Sequence, residues 1–339
     1  MRRSKYSILL LLLFCAALAH KSIIQDVTAG GLVYNYYAKS CPRAEKIIHD
    51  MVDKLYYKKG NTAVSFVRYV FHDCFNGCDA SLLLESTANS PAEKESHSQT
   101  GMRNFKWFDQ IKAAVEKECP GVVSCADIIA LAGSDSIAQL GGPRVALKTG
   151  RRDSIVSLKK SADDGIPTPQ TDVTSLLAYF KKIGLNTAQT VALLGVHTVG
   201  RAHCESFGER LYPKLDPIMD PLYGAMLRKR CPGPIPNPHV SVHFTYMRND
   251  PSTPMLFDNH YYVNLINRQG LMHVDQELYN DARTREYVLL YAKDQNQWHA
   301  DFTKAFQILS EYKPLTGSQG QIRKQCSYIN YSTAERHPP

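Results

Sequence analysis

The sequence predicts a mostly α-helical fold with long polar loops held by disulfides. Three observations carry that expectation: apolar residues recur at helical spacing, alternating strand patterns are scarce, and the cysteine count becomes even once an N-terminal leader is removed.

The chain has 339 residues. Arg2, Arg3 and Lys5 form a basic start, Ile8 to Phe14 an apolar run, and Ala17-Leu18-Ala19 a small-residue cleavage pattern. This reads as a secretory signal peptide over residues 1–19. The rival is an N-terminal membrane anchor, for which the run is short. Losing Arg2, Arg3 and Lys5 lowers the formal charge from +8 to +5. That modest charge suits a plain cationic surface or contact with anionic polysaccharide, and no basic tract of a nucleic-acid tail is present.

Cys15 leaves with the leader, and eight cysteines remain. In an oxidising compartment an even count reads as four disulfides, with about a hundred possible pairings. The competing use is a zinc site of His72, Cys74 and Cys78, although no second ligand pair with zinc spacing stands nearby.

Helical periodicity marks RAEKIIHDMVDKLYY, TAVSFVRYVFHDC and LFDNHYYVNLINRQG. ADFTKAFQILSEY shows the same pattern, and CADIIALAGSDSIAQLGG reads as a buried helix stopped by Gly141-Gly142. TDVTSLLAYFKKIGL has cap-like Thr171 and Asp172 at its start, and Lys181, Lys182 and Gly184 at its end. The proline-rich stretches 166–169 and 231–240 read as connectors. No independent domain boundary is visible, so residues 20–339 are expected to form one domain of two lobes, with a short tail after Cys326.

Arg68 and His72 lie four apart on one predicted helix and share a face, with Phe71 beside them. Alone, such a pair is more often a surface arginine and a chance core histidine. Asp73, Asp79 and Ser81 follow at once and offer hard oxygen ligands of the kind calcium takes. His197 stands among apolar residues and glycines in LLGVHTVG. Two pocket histidines, an arginine and a disulfide frame together suggest a haem between two helices.

The motifs RYVFHDCFNGCDASLL, CPGVVSCADI, GGPRVALKTGRRDS, LLGVHTVGRAHC, STPMLFDNHYY, GLMHVDQEL and PLTGSQGQIRKQC occur in this order. They give the chain a resemblance to the plant secretory haem peroxidases, class III of their superfamily, from residue 36 to 326. The resemblance implies a two-lobed fold with haem b between a distal and a proximal helix. It makes His72 the distal acid–base residue, Arg68 its charge-stabilising partner and Phe71 a cofactor contact. It makes His197 the iron ligand, with Asp275 as the carboxylate that bonds that imidazole. Pro167 falls at the substrate access. Two calcium ions are implied, one on Asp73, Gly77, Asp79, Ser81 and Glu93 (the last through water), the other on Thr198, Asp250, Thr253, Leu256 and Asp258. The implied disulfides join Cys41 to Cys119, Cys74 to Cys78, Cys125 to Cys326, and Cys204 to Cys231. The Cys125–Cys326 loop, about 200 residues long, lowers unfolded-chain entropy by on the order of 5 kcal/mol in the loop-entropy account.

The implied activity is reduction of hydrogen peroxide with one-electron oxidation of phenolic donors, in cell-wall or lignin-type chemistry and peroxide removal. The implied setting is a secreted monomer in the cell wall, or alternatively the vacuole, without nucleic-acid or membrane partners. Asn330-Tyr331-Ser332 is an N-glycosylation sequon. A haem- or wall-binding protein without turnover and a haem-free structural protein are the competing readings.

Four departures stand out from the family pattern. A residue is missing between Phe75 and Asn76, so either the Phe75 or Asn76 carbonyl substitutes in the distal calcium site or that site has fewer protein ligands and binds more weakly, and the Cys74–Cys78 loop is tighter. Ser98 or Gln99 takes the place of the asparagine that keeps the distal histidine basic, which predicts a slower peroxide step. Asn249 lies beneath the proximal histidine, where neither an apolar residue nor tryptophan is found, so a tryptophan radical is not expected. Leu194 replaces the serine before Gly195.

Overall fold

The computed structural model describes residues 31–233 and 245–331. The leader, residues 234–240 of the second proline-rich connector, Ser332 of the sequon and the rest of the tail lie outside them.

The distal half is built on two helices in close contact. Helix α1 spans Ala44–Lys58, α2 Asn61–Cys74, α3 Phe105–Glu118 and α4 Cys125–Gln139. Helix α4 is buried along almost its whole length. Its start is fixed by Ser124, whose hydroxyl accepts from the Asp127 N–H at 3.1 Å. Gly133 lets α2 approach: a Cβ there would overlap Val70 Cγ2 and stand 3.3 Å from the Phe66 carbonyl. Ala63, Phe66 and Val70 are the fully buried stripe of α2. The opposite stripe, Val64, Arg68 and His72 at four-residue steps, faces a cavity.

Charge is also built into this half. The buried Asp127 takes the Tyr37 hydroxyl at 2.6 Å, the Gly150 N–H at 2.7 Å and the Arg151 guanidinium at 2.7 Å. A fully buried ion pair persists only with such saturation.

The connecting helices are α5, Lys159–Gly165, and α6, Val173–Ile183. Asp172 caps α6, accepting from Ser175 N–H at 3.0 Å. Thr171 does not share that task; its hydroxyl accepts from the Thr168 N–H instead.

The proximal half follows. Helix α7, Thr187–Leu194, opens with a reciprocal Asn186–Gln189 cap and runs into a short turn, Gly195–Thr198, that carries His197. Then come α8 (Pro221–Arg230), α9 (His260–Ile266), α10 (His273–Asn280), α11 (Ala282–Lys293) and α12 (Gln295–Ser310). Trp298 of α12 donates to the Ala192 carbonyl at 2.9 Å, and Tyr262 of α9 to that of Val191 at 2.9 Å. Phe306 of α12 meets Phe71 of α2, with centroids 6.0 Å apart, and joins the two halves. The one sheet among the described residues pairs β1, Arg201–His203, antiparallel with β2, Tyr246–Arg248.

All four disulfides join the pairs that the resemblance implies, Cys41–Cys119, Cys74–Cys78, Cys125–Cys326 and Cys204–Cys231. The bridge between Cys74 and Cys78 removes the thiolates that a zinc site would need.

Replacing Gly133 by alanine places a methyl group inside the α2–α4 contact. The expected loss is about 1–3 kcal/mol in chemical denaturation. The stripe carrying Arg68 and His72 should shift with α2, and a variant with unchanged stability would contradict this packing.

Candidate active site

A cavity of about 800 Å³ separates α2 from the turn after α7. Phe71, His72, Pro167, Leu194, His197 and Asn249 all line it, as does Arg68.

On the α2 side, Arg68 Nε donates to His72 Nε2 at 3.0 Å. Its two terminal nitrogens donate to the carbonyls of Thr100 and Ser98, both at 3.2 Å. With Nε2 accepting, the imidazole proton belongs on Nδ1. Burial, then the Arg68 charge, holds the His72 pKa well below the ordinary histidine value. The imidazole is therefore neutral and ready to take a proton. Burial pushes the Arg68 guanidinium down to about 10, so it stays charged at neutral pH.

Of Ser98 and Gln99, only Gln99 turns its side chain toward the imidazole. Ser98 supports Arg68 through its carbonyl. Gln99 is 3% exposed and its amide favours the charged form of His72. Yet neither its amide atoms nor His72 Nδ1 completes a hydrogen bond in this arrangement. The contact is looser than a made bond.

Across the cavity, His197 Nδ1 lies 2.7 Å from Asp275 Oδ1. The same oxygen accepts from the Tyr261 hydroxyl at 2.9 Å. Asp275 Oδ2 accepts from the Met272 N–H at the start of α10, 3.4 Å away. Asp275 is buried. Nδ1 is therefore engaged and Nε2 is left for the cavity. That arrangement, an oriented imidazole opposite a second imidazole in a partly apolar slot, fits a haem. Tyr261 was not foreseen. Its only signal is the second-to-last tyrosine position in DNHYY, on the buried face of α9.

Two oxygen-rich clusters flank the histidines. Next to His197, the Thr198 hydroxyl lies 3.5, 3.4 and 3.3 Å from Asp250 Oδ2, the Leu256 carbonyl and Asp258 Oδ1. The Thr253 hydroxyl is 3.0 Å from both carboxylates. All five expected residues thus converge, and their donor set is the all-oxygen kind calcium takes.

Next to His72, Asp73 and Glu93 are buried, and Asp73 Oδ1 has no hydrogen-bond partner. Burial raises the pKa of Asp73 well above normal, with the Asp79 charge adding to it. Burial also raises Asp79, and lifts Glu93 to about 7. Buried carboxylates that resist ionisation in this way suit a hard cation. Among the described residues no three acidic, imidazole or thiol groups are clustered closely enough to hold a metal by themselves, so carbonyl and hydroxyl oxygens would have to contribute.

The shortened loop has its own geometry. The N–H groups of Asn76, Gly77 and Cys78 all point at the Asp73 carbonyl, at 3.1, 3.2 and 3.3 Å. Cys78 and Ala80 adopt left-handed φ values of 43° and 59°. The Cα atoms of Cys74 and Cys78 are 3.9 Å apart, closer than most bridged pairs. Asn76 turns its side chain to Glu93, donating at 3.2 Å.

Among the described residues no helix is long and apolar enough to cross a membrane. The family model described as Peroxidase matches residues 48–294. Peroxidase 21 of Arabidopsis thaliana is 48% identical over 94% of this chain and 96% of its own length. Peroxidase 42 of the same plant is 46% identical over 88% and 90%. Cationic peroxidase SPC4 of Sorghum bicolor is 40% identical over 90% and 84%. With a cavity flanked by two histidines, an arginine and a buried carboxylate, and with these relatives along nearly its whole length, the chain belongs to the plant class III haem peroxidases.

Proposed function

We propose that this peroxidase works through His72 and Arg68 on one side of the cavity and His197 and Asp275 on the other. The observation that carries the reading is the pair of imidazoles facing one cavity with opposite partners, a guanidinium for His72 and a carboxylate for His197. His197 would hold haem b through Nε2, with Phe71 against the group. The bound haem supplies an iron centre that accepts both oxidising equivalents of hydrogen peroxide and releases them singly to donors.

The residues divide the proton work. Peroxide entering the cavity displaces Arg68 from His72 Nε2, which then takes a proton from the near oxygen. His72 returns that proton to the departing oxygen, so that it leaves as water. Arg68, anchored by two carbonyls, stabilises the charge that develops as the O–O bond breaks. The Gln99 amide is the group that would close on His72 Nδ1, a bond still unmade in this arrangement. Asp275 fixes the His197 tautomer, and Tyr261 shares its negative charge. Phenolic donors approach past Pro167, and their radicals couple outside the protein, in wall or lignin-type chemistry.

The leader and the disulfides support secretion of residues 20–339 as one domain and a monomer, with the apoplast or the vacuole as destination and an anionic polysaccharide as surface partner. Glycosylation would fall on Asn330, whose side chain here donates to the Ile322 carbonyl. The two oxygen clusters would hold calcium, on Asp73, Gly77, Asp79, Ser81 and Glu93, and on Thr198, Asp250, Thr253, Leu256 and Asp258. With the Asp73 carbonyl already shared by three N–H groups, the first site is the weaker.

The purified protein should show a Soret band and oxidise guaiacol with peroxide, and His197→Ala should lose both. A full band without turnover would favour a non-catalytic haem protein, and a colourless folded protein a structural one. Gln99→Leu should slow peroxide consumption in rapid mixing by about 10–100-fold. The unaltered protein should itself react below the diffusional ceiling of about 10⁸–10⁹ M⁻¹s⁻¹; a rate at that ceiling would rule out a weak His72 support. Chelation should release one calcium before the other and lower Tm by roughly 5 °C, reversibly on calcium addition. A Tm indifferent to both chelator and calcium would remove the calcium assignment.

A further inference from the structure

The cavity wall carries positive charge that the proton work above does not use. Strands β1 and β2 place Arg201 directly opposite Arg248, and both residues line the cavity. Directly opposed residues share one face of the ribbon with Cβ atoms about 5 Å apart, where like charges repel. Both side chains are half-buried, so solvent only partly screens the repulsion.

Among the described residues no carboxylate neutralises the pair. Arg201 lies over the Tyr246 ring, 3.9 Å from its centroid, and among the described residues the Arg248 guanidinium reaches only the Met255 sulfur at 3.7 Å. A third guanidinium, that of Arg230, stands 6.0 Å from the same tyrosine ring. Glu205 lines the cavity as well but forms no ion pair with either arginine among the described residues. Two opposed, half-buried guanidinium groups without an anion are an unbalanced arrangement that a planar carboxylate would complete.

We propose that Arg201 and Arg248 form a binding site for one carboxylate presented inside the cavity. The cavity that they line is partly apolar, with Val64, Val199 and Met255 in its wall, so the ligand they suit is an aromatic acid such as a hydroxycinnamate. The carboxylates of the bound haem have the same chemistry and are the other source. The inference rests on the peroxidase reading, because the donor must enter this cavity.

The test compares 4-hydroxycinnamate with its methyl ester, which keeps the phenol and removes the charge. In the unaltered enzyme kcat/KM should favour the acid by about tenfold. Arg201→Gln and Arg248→Gln should each pull that ratio toward one, whereas Arg248→Lys, which keeps the charge, should retain part of it. In parallel the apoprotein is titrated with haem and with haem dimethyl ester, read by the Soret band. A donor ratio that collapses assigns the site to the substrate. A haem-to-ester affinity ratio that collapses, with the donor ratio unmoved, assigns it to the cofactor's carboxylates. If neither ratio responds to the glutamine variants, the carboxylate site is wrong. Unchanged ratios with both donors still oxidised would leave the peroxidase reading standing, while no turnover with either donor would strike at that reading itself.

Discussion

The close approach of α2 to α4 at Gly133 is the constraint on which the site depends. With Ala63, Phe66 and Val70 locked against α4, a helix of 3.6 residues per turn has no freedom left in where it points Arg68 and His72. The distal pair is thus aimed by packing on the far side of its own helix. Saturated polar contacts then stiffen the surroundings. Arg68 is tied to the carbonyls of Ser98 and Thr100, so the chain that crosses the cavity edge is held to the helix it faces. The halves meet through Phe71 and Phe306, so α2 and the His197 side share one packed core.

Buried carboxylates are the second organising device, and each is used differently. Asp127 ends in a closed set of donors and is structural. Asp275 is nearly closed, but one of its donors is the imidazole that faces the cavity. Asp73, in the last turn of α2, keeps an oxygen without any donor, just before a loop that bends through left-handed residues. Burying an unpartnered carboxylate oxygen costs a few kcal/mol. The gradient from closed to open therefore tracks the change from scaffold to ligand-seeking group.

Much of this was legible in the sequence, and the limits have physical causes. Arg68 and His72 could be read because four-residue spacing on a helix survives any tertiary arrangement. Helices over TAVSFVRYVFHDC and CADIIALAGSDSIAQ stand where periodicity placed them. Helices α3, α5, α8, α10 and α11 carry no helical reading in the sequence, α11 because its charged residues dilute the apolar stripe. The choice between Ser98 and Gln99 could not be made, because a single turn over His97–Gln99 decides which side chain points inward. Asp275 and Tyr261 come from different helices, and only tertiary packing brings them to one imidazole. The Arg201–Arg248 pair was invisible for the same reason: three-residue strands carry no periodic signal, and their register is set by the cross-chain pairing.

One side chain type serves two ends of the cavity, and the neighbours decide its task. Burial, and then a guanidinium that repels a second positive charge, keeps the His72 ring neutral and its lone pair available for a proton in transit. A carboxylate beside His197 draws the Nδ1 proton toward itself, which enriches the electron density at Nε2 and suits that atom to hold a metal. Tyr261 donates to the same carboxylate oxygen and so limits how far that proton can be drawn. In the proposed mechanism the two partners thus set which imidazole carries a proton and which holds the haem. The asymmetry of the proposed mechanism therefore resides in Arg68 and Asp275 as much as in the imidazoles that they face.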